Sequence, residues 1–281
     1  MKNVKTEIIH LDKNYPLPEE YSCRCKYCFR YLGMLIRPNG EKYNKNDRRQ
    51  YYFYKRKGGS GHINPTPHHA ARWAIQALTR PGDWVCDPFM GTGTTAVEAI
   101  NHSRKVVGTE LETVKLARYN CKLQSSNQRQ DFYKIYKDDA QNIHKYIKNL
   151  PIQLSVWQPP YSGDEQSNAK YNRDYSNNLA FLKETPEYWR AIDGIMKQVI
   201  EQTRIGGYAI ICVKEMMRNK KWWDIHIKLG ILMSKKMNYR GMVLLPHYPR
   251  TLHLNTYFQR WGVHPSYWQT ILIFRKGGRN A

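Results

Sequence analysis

Apolar positions along the chain change their period at intervals, and those changes outline the elements. From His68 to Leu78, the residues Ala70, Ala71, Ala74, Ile75 and Leu78 recur at helical spacing, just after an Asn64-Pro65-Thr66-Pro67 start signal. Pro81-Gly82 breaks that run, and 84–86 reads as a short buried strand ending at Asp87. Gly91 and Gly93 lead into a helix over 94–101. The next strand covers 105–108 and ends near Glu110, and 114–124 is again helical in pattern. Ile135 precedes the pair Asp138-Asp139, 143–150 reads as a short helix, and 154–157 is a strand running into Gln158-Pro159-Pro160-Tyr161. Farther along, 188–200 predicts a helix, 204–207 a turn, and 208–213 a strongly apolar strand. The pattern predicts a helix over 222–233 and a closing strand over 267–276, with a β-hairpin at one sheet edge. Strand, glycine turn, helix, strand and acidic residue in that order form the rhythm of a doubly wound, mostly parallel α/β sheet.

Composition adds organisation and a partner. Residues 1–60 are polar, aromatic and basic, and 55–61 reads as a flexible boundary, so 61–281 is expected to form the main domain. Within it, 237–265 is rich in Arg, His, Tyr and Pro and reads as an irregular recognition insert. No internal repeat is visible. The chain carries 45 Lys+Arg against 23 Asp+Glu, a net +22. Such an excess repels itself unless a polyanion offsets it, and nucleic acid is the commonest one. A merely basic protein is the plainer reading. No apolar run approaches the roughly 20 residues of a membrane span, and 1–20 lacks a signal-peptide core, which predicts an intracellular, cytoplasmic protein. The six cysteines are then expected as thiols or metal ligands, not disulfides.

The strongest local signal runs over 85–99. A strand delivers Asp87 to its carboxyl end, Gly91-Thr92-Gly93 lets the backbone approach a ligand, and the following helix offers free amides. Glu110, at the tip of the next strand, is placed to accept two hydrogen bonds from a ribose diol. Without a ligand, Asp87 would be a strand-end turn residue and Glu110 a solvated acid.

Three segments carry a resemblance. Asp87-Pro88-Phe89, with Gly91, Gly93, Thr94 and Thr95, resembles motif I of the DNA amino-methyltransferases of the N6-adenine and N4-cytosine type. The stretch 62–83 resembles their motif X, and 156–163 resembles motif IV, usually Asp/Asn/Ser-Pro-Pro-Tyr/Phe. The likeness spans roughly 62–276. It implies a Rossmann-like class I methyltransferase fold with a C-terminal antiparallel edge, binding S-adenosyl-L-methionine and methylating a base in DNA, as in restriction-modification. By that resemblance, Asp87, Pro88, Phe89, Gly91, Gly93, Thr94 and Thr95 would surround the cofactor's amino-acid moiety. Glu110 would hold its ribose, Asp139 and Ala140 would face its adenine as motif III, and Asn64, Thr66 and His68 would line the methionine tail.

Amine chemistry gives motif IV its task. The lone pair of an exocyclic amino nitrogen is delocalised into the ring, so the site must accept its hydrogens and favour a pyramidal nitrogen. The side chain of Gln158 and the carbonyl of Pro159 can accept, Pro159 and Pro160 stiffen the backbone, and Tyr161 offers a face to a flipped base. No Pro-Cys dipeptide occurs, which disfavours a cytosine-C5 route. Gln158 stands where the family has Asp, Asn or Ser. Its amide is nearest to Asn, which leans the target toward adenine N6 and leaves cytosine N4 open. A tRNA or rRNA amino-methyltransferase and a non-catalytic nucleic-acid-binding partner remain the alternatives.

Two further patterns stand outside these motifs. Cys23, Cys25 and Cys28 form a knuckle with a third thiol; zinc needs a fourth ligand, for which His10, His62 or a distant cysteine could serve, and reduced thiols are the alternative. Arg48, Arg49, Lys55 and Arg56 alternate with tyrosines and a phenylalanine, a pattern suited to phosphate contact and base stacking, or to a strand with inward aromatics. Arg250, His253 and Arg260 follow motif IV and are candidates for reading guanine edges or binding phosphate. His247 and His264 read as structural. Met216-Met217 and Trp222-Trp223 read as core or interface.

Overall fold

The computed structural model describes residues 68–124, 131–160, 179, 182, 185–214, 216–218, 221–246 and 268–277. Its strands are β1 (Trp84–Asp87), β2 (Lys105–Thr109), β3 (Tyr133–Tyr136), β4 (Ile152–Trp157), β5 (Thr203–Lys214), β6 (Met216–Arg218), β7 (Lys221–Trp223), β8 (Asn238–Pro246) and β9 (Trp268–Arg275). The helices are α1 (His68–Leu78), α2 (Thr94–Asn101), α3 (Val114–Gln124), α4 (His144–Ile147), α5 (Pro186–Gln202) and α6 (Ile225–Ser234), with a 3-10 turn over Ala140–Asn142. Seven strands form one sheet in the order β3-β2-β1-β4-β5-β9-β8, and β6 pairs with β7 separately.

β1 runs parallel to both β2 and β4, so the chain winds outward to one side and then returns to start on the other. β9 lies between β5 and β8 and is antiparallel to both. This is the α/β, doubly wound, Rossmann-like arrangement that the sequence pattern predicts. The antiparallel edge is a β8–β9 pair in which the last strand slots inside and β8 takes the outer position.

Alternation along the strands separates two cores. On β5, Tyr208, Ile210 and Cys212 join one cluster with α1, α2 and α3. Ala209, Ile211 and Val213 join the other with α4, α5 and α6. A period of two on a sheet covered on both faces produces this split. On α5, Tyr188, Ile192, Ile195, Met196 and Val199 are buried, spaced as a single helical stripe.

The differences from the sequence reading are local. The stretch 204–207 is not a free turn but lies within β5, with Gly206 at φ +82°. The proposed helix over 222–233 begins later, because 221–223 pairs as β7. The first part of the expected insert, 238–246, is β8, drawn into the sheet by its pairing with β9. The rest of that stretch and all of 1–67 lie outside the described residues.

Polar groups bind α1 to α2. Arg72 grips the wholly buried carboxylate of Glu98 with two bonds, of 2.9 and 3.2 Å, and Gln76 meets His102 at 3.2 Å. A bidentate pair of this kind fixes direction as well as distance. Arg104, itself buried, bonds the side chain and carbonyl of Thr79, tying the end of α1 to the start of β2.

Close approach explains two glycines. A Cβ on Gly108 would overlap the carbonyl oxygen of Asp87, so β2 can lie against the end of β1 only with glycine there. Gly93 caps α2 at φ +89°, and a Cβ on it would stand 3.2 Å from the Ala117 backbone of α3. Gly194, inside α5, meets nothing within 4 Å. Chemical denaturation should therefore separate two like substitutions. Gly108→Ala should lose about 1–3 kcal/mol or more through overpacking, and Gly194→Ala should gain roughly 0.5–1 kcal/mol from helix propensity.

Candidate cofactor cleft and active site

At the carboxyl ends of the parallel strands lies an open cleft of about 590 Å³, counting space shared with solvent. Open α/β sheets place ligands at this end, where the strand order reverses.

The loop after β1 forms one wall. Asp87 is buried, and one of its oxygens accepts the Phe89 amide at 2.9 Å. Burial pushes its carboxyl up to about 7; the Thr95 hydroxyl and the Phe89 amide pull it down, and the nearby Glu110 charge raises it further. The rest of the loop is held from β2 and α3. Thr109 donates to the Pro88 carbonyl at 2.8 Å and accepts the Met90 amide on its own carbonyl at 3.1 Å. Thr113 donates to the Gly91 carbonyl at 2.7 Å, and Asn120 to that of Thr92 at 2.8 Å.

Glu110 joins these pieces. One oxygen accepts the Gly91 amide at 2.8 Å; the other accepts those of Glu112 and Thr113, each at 3.0 Å. A carboxylate offers about four acceptor positions, so capacity remains for a ligand hydroxyl.

The loop after β3 forms the next wall. Asp139 caps the 3-10 turn by accepting the Gln141 amide at 2.8 Å, and burial pushes its carboxyl above the ordinary range. Asp138 moves the other way. Slight burial opposes ionisation, but hydrogen bonds from Asn142, Tyr146 and the Asp139 amide outweigh it and hold the carboxyl below its usual range. Tyr146 in turn stacks on Tyr136, ring centres 3.9 Å apart.

The segment at the end of β4 closes the cleft. Trp157 is fully buried, its indole donates to Ser155 at 2.7 Å, and its ring meets Phe89 edge-on at 6.1 Å. Gln158 follows, half-buried, with its amide oxygen buried. Beyond the buried Pro159, the carbonyl of Pro160 accepts the hydroxyl of Tyr188 at 2.9 Å.

Pro88, Phe89, Glu110, Asp139, Ala140, Gln158 and Pro160, separated widely in sequence, thus line one cleft. Asp87, Gly91, Gly93, Thr94 and Thr95 stand in or behind the loop that shapes it. His68 begins α1, and nothing further is described of its side chain. Asn64, Thr66, Tyr161, the cysteines Cys23, Cys25 and Cys28, and the basic candidates Arg48, Arg49, Lys55, Arg56, Arg250, His253 and Arg260 lie outside the described residues. Sequence reasoning missed Thr109, Thr113, Asn120 and Tyr188, whose polar side chains bind loop backbone. The two threonines flanking Glu110 were the available signal; Asn120 and Tyr188 had none, because their partners are distant in sequence.

Charge defines what the cleft can hold. Glu110, Glu112, Asp138 and Asp139 border it in a chain of net charge +22. Concentrated carboxylates favour a cationic small molecule and oppose a pyrophosphate. Among the described residues no group of three or more His, Cys, Asp or Glu could hold a metal ion, and no helix is long and apolar enough to cross a membrane.

The raised carboxyl of Asp87 sets a pH dependence. Between 3.8 and about 7 the folded chain keeps a proton that the unfolded chain has released. Its stabilisation is therefore full only below about 3.8, falls steadily as pH rises, and is gone once pH has passed about 7. From about pH 6 to about pH 8 the ligand-free protein should lose about 1 kcal/mol through this group. Asp87→Asn should not show that component, which thermal melts across the range would measure.

Parts of the chain are similar to known proteins. A family described as DNA methylase matches residues 5–118. The Type II methyltransferase M.XycI of Xanthomonas campestris pv. cyanopsidis is 41% identical over 68 residues, 24% of this chain and 23% of that protein. DNA adenine methyltransferase YhdJ of Escherichia coli is 31% identical over 86 residues, 30% of this chain and 29% of its own. The aligned stretches thus span less than a third of these curated relatives. TrmN from Thermus thermophilus shares the fold with a TM-score of 0.51 at 14% identity, over 81% of this chain and 52% of that one. Over residues 5–118 the sequence thus resembles the DNA methylase family, while the likeness to TrmN is one of fold.

Proposed function

We propose that the protein uses S-adenosyl-L-methionine to methylate the exocyclic amino group of a base in DNA, adenine N6 ahead of cytosine N4. The observation that carries this reading is the convergence of Phe89, Glu110, Asp139 and Gln158 on one acid-rimmed cleft. The bound cofactor would supply an electrophilic methyl group on a cationic sulfur, which suits those carboxylates. Glu110 would spend its remaining acceptor capacity on the ribose, and Asp139 with Ala140 would receive the adenine end. Asp87 and the glycine turn would shape the wall for the amino-acid end, with Asn64, Thr66 and His68 beside it.

The reacting amine falls to motif IV. The buried amide oxygen of Gln158 would accept one amino hydrogen and the Pro159 carbonyl the other, which concentrates the lone pair on nitrogen. A base inside a duplex cannot enter such a cleft, so it must leave the stack, and Tyr161 would provide a face for it. Arg48, Arg49, Lys55 and Arg56 would meet phosphates, and Arg250, His253 and Arg260 would read the target. The amide at Gln158 and the partial similarity to YhdJ, a DNA adenine methyltransferase, support adenine.

The full chain should be incubated with labelled cofactor and either plasmid DNA or total RNA, followed by nucleoside mass spectrometry. N6-methyladenine in DNA is expected. Label in RNA alone, or none in either, would overturn the reading. Gln158→Ala should lose roughly 100-fold in kcat with cofactor affinity nearly unchanged. Glu110→Ala should instead weaken cofactor binding by roughly tenfold or more in calorimetry, the loss expected for a charge-assisted hydrogen bond.

A further inference from the structure

We infer that Tyr188 is a positioning residue for motif IV, its hydroxyl setting the orientation of the Pro160 carbonyl and so the shape of the base-facing end of the cleft. The inference rests on the functional reading above.

The reasoning begins with what two prolines cannot do. Pro159 and Pro160 carry no N–H, so neither can donate a hydrogen bond to the surrounding structure. Their rings fix φ, yet ψ of Pro160 stays free to rotate. Carbonyl oxygens are the only backbone polar handles on this dipeptide. Upstream, the segment is anchored by Trp157, fully buried and bonded to Ser155 within β4. Downstream, the Tyr188 hydroxyl takes the Pro160 carbonyl at 2.9 Å.

Tyr188 is built to hold that direction. Its side chain is wholly buried, so its hydroxyl has reason to keep a protein partner. It lies in the first turn of α5, where Pro186 opens the helix and the Thr185 side chain accepts the Tyr188 amide at 3.5 Å. The ring meets Trp189 edge-on at 5.0 Å. A helix start, a cap and a packed ring thus fix where the hydroxyl points. Because α5 packs under the sheet through the stripe beginning at Tyr188, the orientation of the Pro160 carbonyl is referred to the core and not to the loop itself. A near-attack geometry is sensitive to displacements of about 1 Å, which gives such an anchor catalytic weight.

Tyr188→Phe removes the hydroxyl and keeps the ring, which avoids the cavity that Tyr188→Ala would leave. The sequence offers a direct reporter, because Pro160-Tyr161 is its one Pro-Tyr dipeptide. Labelling proline carbonyl carbon and tyrosine nitrogen in the full chain gives a single correlated NMR signal from that peptide. We expect the signal to move in Tyr188→Phe, with thermal stability within a few degrees of wild type. We also expect kcat to fall about tenfold, with KM for the cofactor within about twofold, since the cofactor-facing walls are untouched. A signal that does not move overturns the inference. So does a moved signal with unchanged kcat, or an equal loss in cofactor affinity and rate. If wild type methylates neither DNA nor RNA, the functional reading fails separately. The NMR signal then still decides whether Tyr188 orients Pro160.

Discussion

One carboxylate receives three backbone amides from two loops, and the site takes its form from that convergence. Glu110 accepts Gly91 with one oxygen and Glu112 and Thr113 with the other, which joins the turn after β1 to the turn after β2. Neither turn has a regular ladder to occupy these donors, and a buried amide left unpaired is costly. A charged acceptor is the strongest partner available to them. Thr109, Thr113 and Asn120 then take the carbonyls of the same loop, so its donors and acceptors are met from β2 and α3. The cleft wall is therefore set by its neighbours more than by its own glycines.

The sheet makes this economy possible. β1 and β2 can bring Asp87 and Glu110 together only because Gly108 lets the backbones approach. Cores on both faces hold the strands rigid, so loops at one end can be irregular without loss of register. Packing against α2 brings α1, the helix whose sequence resembles motif X, under the same constraint through Arg72 and Glu98. A buried ion pair of this kind contributes direction more surely than net stability.

Electrostatics divides the molecule by function. The chain as a whole is strongly basic, a property that suits a polyanion, yet its cleft is rimmed by four carboxylates. Those acids are not equivalent. Asp138 is spent on its own loop through Asn142 and Tyr146, whereas Asp139 uses one oxygen on the Gln141 amide. Buried Asp87 sits behind the wall with its carboxyl near neutrality, which makes it a structural acid sensitive to pH. A basic outside and an acidic cleft can attract opposite kinds of partner without competing.

How much of this was legible follows from the range over which each signal acts. Alternation along 208–213, helical spacing over 68–78 and the glycine-bounded turn at 91–93 are local, and each element formed where its period placed it. Asp87, Glu110 and Gln158 were legible for the same reason, as an acid or amide at the end of a short apolar strand, whereas Asp139 was named only through the motif III resemblance. The stretch 238–246 was not, because its polar and aromatic residues look irregular until β9 pairs with them. Nor was Tyr188, since nothing within α5 announces a bond to a carbonyl 28 positions away. By itself the sequence determined most of the parallel strands and their helices, the acids at the ends of β1 and β2, and the two stiff prolines after β4. Tertiary structure alone decided that four distant loops share a cleft, which side chains hold them there, and that β9 inserts between β5 and β8. Those outcomes depend on pairings between segments far apart in the chain, and no local periodicity encodes them.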